Sequence, residues 1–86
     1  MSSLILVVDD EAPVREMICD ALSLAGYKTL SAGDGLEALN LLRSNSVDLI
    51  VSDINMPKIN GFDLRNLIFN DAEIRERAIP FIFLTT

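Results

Sequence analysis

Asp9, Asp10 and Glu11 follow directly on the apolar, β-prone run Leu4-Ile5-Leu6-Val7-Val8, and Asp53 follows Leu49-Ile50-Val51 and Ser52. Runs of this kind form buried parallel strands in α/β proteins, where ligands bind beyond the carboxyl edge of the sheet, so three or four carboxylates would meet in one crevice. Crowded ionised carboxylates repel one another unless a hard cation neutralises them. The chemistry this predicts is a divalent-metal site. Any one of these acids alone is more simply a helix cap or a turn former. The functional reading rests on the set.

The rest of the chain supplies elements able to position such a set. Pro13 sits where the first residue of a helix (N1) belongs, and Val14, Met17, Ile18, Ala21, Leu22 and Ala25 recur at helical spacing until Gly26 stops them. Tyr27–Ser31 reads as a strand. Asp34-Gly35 reads as a turn or cap leading into a helix over Leu36–Arg43, which Ser44-Asn45-Ser46 ends. The third strand spans Val47–Ser52, and a loop from Asn55 to Gly61 leads to a third helix over Phe62–Phe69 with an extension to about Arg77. Pro80–Leu84 is the fourth strand. Asp63, Asp71, Glu73 and Glu76 read as solvated faces of the third helical region, and Met17, Phe81 and Phe83 as core or strand-face residues. Strand and helix alternate with short connections, which means right-handed crossovers and a parallel sheet, hence an α/β fold in one domain over residues 1–86.

Composition narrows the chemistry further. The 86 residues carry 13 acidic and 7 basic side chains for a net charge of −6, and the basic ones are scattered, which argues against direct binding of nucleic acid or an anionic membrane. The absence of histidine excludes a Ser-His-Asp triad, a histidine-ligated zinc and a phosphohistidine on this chain. Cys19, the single cysteine, lies in an apolar-periodic segment and reads as a buried inert thiol in a reducing cytoplasm. Neither a signal peptide nor a membrane span is readable.

Four features coincide at the strand ends: the acidic pair after strand one, Asp53-Ile54-Asn55-Met56-Pro57 after strand three, Gly61 four residues past Pro57, and Leu84-Thr85 after strand four. Together they resemble the receiver domain of two-component response regulators over the whole chain. The resemblance implies a flavodoxin-like parallel sheet of order 2-1-3-4. It also implies that Asp53 is a phosphoacceptor taking a phosphoryl group from a sensor histidine kinase or phosphotransfer protein. Mg²⁺ would be held by Asp9, Asp10, Asp53 and the backbone carbonyl of Asn55, with Glu11 the weakest ligand candidate. Thr85 would be the switch hydroxyl, and Met56, Pro57 and Gly61 would shape the loop, the proline by fixing φ and the glycine by adopting a conformation that a Cβ opposes.

The same resemblance implies a fifth strand, two further helices and a lysine after strand five, none of which lies in this sequence. The expectations that follow are weak Mg²⁺ binding, poor phosphorylation and self-association through a bare sheet edge and uncovered apolar faces. Lys58 does not stand at the position of the family lysine. The rival functions are a receiver-like interaction scaffold that is not phosphorylated and a haloacid-dehalogenase-like phosphatase. The latter needs an acid two residues after Asp53, where this chain has Asn55.

Overall fold

A computed structural model describes residues 3–84. Four parallel strands, β1 (Leu4–Val8), β2 (Lys28–Ala32), β3 (Leu49–Asp53) and β4 (Phe81–Leu84), lie in the order β2-β1-β3-β4 that the family resemblance implies. The helices are α1 (Ala12–Leu24), α2 (Gly35–Ser44), α3 (Gly61–Asn70) and α4 (Ala72–Glu76).

β1 is paired along both edges by β2 and β3 and covered on both faces by helices, and Ile5 to Val8 are all buried. This is the physical reason for its unbroken apolar run. On one face Leu6, Val8, Ala32 and Ile50 pack with Ala38, Leu39 and Leu42 of α2, Leu64 and Ile68 of α3, and Ile74 of α4. On the other face Ile5, Val7 and Val51 meet Ile18, Cys19 and Leu22 of α1. Cys19 is thus packed against the core but not fully enclosed. Gly26 ends α1 with φ +96°, and the Tyr27 N–H donates to the Leu22 carbonyl at 3.1 Å. A residue without Cβ reaches this left-handed backbone without steric penalty.

Several predicted elements differ from those observed. Helix three is two helices, because Asp71 leaves helical geometry with ψ 106° and its Oδ1 caps α4 by accepting from the Ile74 N–H at 3.1 Å. Asp71 is therefore a cap rather than part of a solvated face, and it pairs with Arg43 at 3.4 Å. Arg77 ties α4 to the end of α2, donating to the carbonyls of Leu42 and Asn45. Met17 is 64% exposed rather than buried, because α1 docks through Ile18 and Leu22 and turns its neighbour outward. β3 starts at Leu49 because Asp48 instead exchanges bonds with Leu4, its N–H donating to the Leu4 carbonyl and its Oδ2 accepting from the Leu4 N–H, both at 2.8 Å. Pro80, which has no N–H to give the ladder, precedes β4 and accepts from the Ile50 N–H at 3.0 Å.

Candidate functional site

Register brings the acids together. β1 and β3 pair up to Val8 beside Ser52, so positions 9 and 53 stand side by side on the next rung, at the carboxyl edge of the two central strands. Carboxylate oxygens of Asp9, Asp10 and Asp53 lie within 4.8 Å of one another. Asp9 and Asp53 are buried, at 3% and 5% exposure, while Asp10 is exposed to solvent. Each buried carboxylate is oriented by the backbone two residues on: Asp9 Oδ1 accepts from the Glu11 N–H at 2.9 Å, and Asp53 Oδ1 accepts from the Asn55 N–H at 3.3 Å. These are the local turns that Asp favours. The Glu11 carboxylate lies outside the cluster, and Glu11 precedes α1 without a side-chain cap.

Among the described residues the ion pairs are Arg43–Asp71 and Arg77–Glu73, and neither involves the cluster. Three carboxylates gathered without a paired cation form an all-oxygen donor set. That chemistry fits a hard divalent ion that keeps much of its water, as Mg²⁺ does, and does not fit a soft metal.

The loop after β3 holds its shape by contact. Met56 is buried in the core beneath α2 and α3, whereas Pro57 is exposed. The Ile59 N–H donates to the Pro57 carbonyl at 2.8 Å across Lys58, whose φ is +67°, so this stretch is a γ-turn of the strained hand centred on a non-glycine residue. Asn55 stands exposed at the rim. Gly61 does not have a left-handed backbone, which corrects the reason expected for it. A Cβ built there would lie 2.5 Å from the Asp53 carbonyl oxygen and 3.0 Å from Ile54 Cα, so glycine is required by how closely α3 approaches the end of β3. The Gly61 N–H donates to the Ile54 carbonyl at 2.8 Å across the same contact. Thr85 lies outside the described residues.

Arg15 was not foreseen from the sequence. Its guanidinium Nη1 donates to the Asp9 carbonyl at 2.7 Å. The available signal was an arginine in the first turns of the helix that follows the acidic pair.

A family model described as the response regulator receiver domain matches residues 5–86. The chain is 40% identical over 81 residues, 94% of its own length and 30% of the relative's, to a probable transcriptional regulator ycf27 of Guillardia theta. It is 43% identical over 65 residues, 76% of its length and 7% of the relative's, to the sensor histidine kinase RcsC of Salmonella typhimurium. The chemotaxis protein CheY4 of Vibrio cholerae superposes with a TM-score of 0.90 at 34% identity, over 100% of this chain and 70% of that one. The chain thus spans about a third or less of these curated relatives, at 30% and 7%.

Proposed function

The chain belongs to the response regulator receiver domain family, and we propose that it acts as a phosphoryl acceptor in two-component signalling, with Asp53 as the acceptor. A carboxylate oxygen of Asp53 attacks the phosphorus of a phosphohistidine on a sensor histidine kinase or phosphotransfer protein. The new O–P bond makes an acyl phosphate as the P–N bond breaks and the imidazole departs. Such a transfer asks the protein for positioning and charge neutralisation more than for a base.

Asp9, Asp10, Asp53 and the carbonyl of Asn55 would hold Mg²⁺, which when bound supplies positive charge to neutralise the transferring group. This chain's residues do the rest. The Asn55 N–H fixes the rotamer of the Asp53 carboxylate, and the Glu11 N–H fixes that of Asp9. Met56 anchors the loop in the core, and Gly61 lets α3 close against Asp53. Thr85 would donate its hydroxyl to a phosphoryl oxygen and begin the conformational response. In this reading the chain is a signalling module in the cytoplasm rather than a turnover enzyme, and it touches no nucleic acid directly. Among the described residues no helix is long and apolar enough to cross a membrane.

The observation that carries the proposal is the convergence of the three carboxylates within 4.8 Å at adjacent strand ends. The test is intact-protein mass after incubation with acetyl phosphate and Mg²⁺. The expected result is one phosphoryl adduct, absent with EDTA and absent from Asp53→Ala. An adduct that persists in Asp53→Ala would refute the assignment of the acceptor, and no adduct on the wild type would favour the interaction scaffold.

A further inference from the structure

The Asp9 backbone is anchored on both sides. Its N–H donates to the Ala32 carbonyl of β2 at 3.1 Å, which continues the strand pairing one residue past β1. Its carbonyl accepts from Arg15 Nη1 at 2.7 Å. That carbonyl belongs to the peptide plane joining Asp9 to Asp10, so its direction sets where Asp10 leaves the chain. Asp9 itself is level with Asp53 through the sheet register and is further held by Glu11, whereas Asp10 is exposed and lies beyond the ladder. The guanidinium lies beside Gly33: a Cβ built there would be 3.4 Å from Arg15 Nη1 and 3.7 Å from Glu37 Oε2, and the Gly33 N–H donates to the Glu37 carboxylate at 3.1 Å.

We propose that Arg15 is a positioning residue of the acidic site. By donating to the Asp9 carbonyl it fixes the Asp9–Asp10 peptide plane and presents Asp10 to the cation alongside Asp9 and Asp53. The inference rests on the metal reading of the site given above. It makes an unusual demand on sign, since a guanidinium close to the carboxylates opposes a divalent cation through space, and its field alone would make Arg15 removal tighten Mg²⁺ binding. A positioning role makes removal weaken binding.

The experiment is calorimetric titration of the 86-residue chain with Mg²⁺, together with Arg15→Ala, Arg15→Lys and the control Asp53→Ala. Partners that orient metal ligands are worth about 10- to 100-fold in metal affinity, so Arg15→Ala is expected to bind Mg²⁺ about tenfold more weakly. The contact uses a single N–H donor rather than a fork, so lysine can supply it, and Arg15→Lys is expected to recover most of the loss. Melting in EDTA reports folding separately, and if Arg15→Ala fails to fold, Arg15→Met, which keeps the aliphatic stem, replaces it. Tighter or unchanged Mg²⁺ binding on removal overturns the proposal, as does an Arg15→Lys variant no better than the truncation. Wild-type binding that is absent or indifferent to Asp53→Ala overturns the metal reading itself, and Arg15 with it.

Discussion

Gly61→Ala tests how tightly helix and acceptor are locked together. The added methyl would sit 2.5 Å from the Asp53 carbonyl oxygen, about 0.9 Å short of the 3.4 Å at which ordinary contact begins, and 3.0 Å from Ile54 Cα. Both obstacles are backbone, so no side-chain rotation relieves them. Withdrawing α3 would stretch the 2.8 Å bond from the Gly61 N–H to the Ile54 carbonyl, and withdrawing β3 would strain Asp53, which is paired with Leu84 of β4 and whose carbonyl accepts from Ser52 Oγ at 2.9 Å. Overpacking of this kind costs about 1–3 kcal/mol. Alanine's better helix propensity returns at most about 1 kcal/mol.

The net loss, within about 0–3 kcal/mol and centred on about 1–2 kcal/mol, lowers Tm by about 4–16 °C at that centre in a domain of this size. The effect on chemistry should be larger than the effect on stability, because the displaced carbonyl belongs to the acceptor residue. A misplacement of about 1 Å at a reacting group costs about 10²-fold in rate. Thermal melting combined with the rate of adduct formation from acetyl phosphate, measured well below the variant's Tm, separates the two. A Gly61→Ala variant that melts within about 2 °C of the wild type and phosphorylates at its rate would show that α3 withdraws freely, and would refute the close-approach account of this glycine.

Two further outcomes follow from the described contacts. The Ile74 N–H first, and the Arg43 guanidinium after it, hold the Asp71 carboxyl below the usual carboxylate range. Its ionised form therefore contributes stability that is present above the unfolded-state value and is lost as pH falls through the lower folded one. Asn keeps the cap acceptor without the charge, so the Tm advantage of the wild type over Asp71→Asn should shrink on titration from neutral into acid, and an advantage that grows instead would reverse the assignment. Among the described residues β4 pairs with β3 on one side; it is wholly apolar, with Ile82 48% exposed and the ring of Phe62, itself 52% exposed, tilted against that of Phe83 with centroids 4.9 Å apart. Such an edge promotes association, so the chain should form dimers or larger species by light scattering, and Ile82→Lys should suppress them; a monomer at every concentration would count against this.

The parts of this fold that were legible in the sequence are those where one physical demand dominates. β1 and β3 must be buried on both faces, and that demand writes itself as Leu4–Val8 and Leu49–Val51 without interruption. The parallel sense of the strands follows from the short crossovers, whereas their order β2-β1-β3-β4 was legible only through the family resemblance. Elements set by two competing demands were not legible. Through residues 62–77 apolar positions facing one core continue past Asp71, in Leu64, Ile68 and Ile74, but the six-residue step from Ile68 to Ile74 departs from the helical period, and the Asp71 carboxylate caps a new helix rather than sitting inside an old one. Lys58 hides a positive φ behind an ordinary side chain, and Gly61 has the opposite disguise, a glycine retained for close approach with no unusual φ.

The candidate site divides in the same way, and the division says what each acid depends on. Asp9 and Asp53 are extensions of their strands: once β1 and β3 pair with Val8 beside Ser52, their meeting is compelled, and apolar patterning alone reveals it. Asp10 has no such guarantee, being one residue past the ladder and exposed. Its direction is left to the peptide plane that begins at the Asp9 carbonyl, and the side chain on that carbonyl comes from α1, six residues along the chain, at a position that no strand or helix period marks. The residue that sequence patterning passes over is thus the one tied to the least constrained carboxylate. If the Asp9–Asp10 peptide is held only by the local turn, Arg15 is a bystander whose loss leaves the metal indifferent or better bound. If it is held by the guanidinium, the acidic site is built jointly by the sheet and by α1, and any change that shifts α1 along β1 reaches the cation through Arg15.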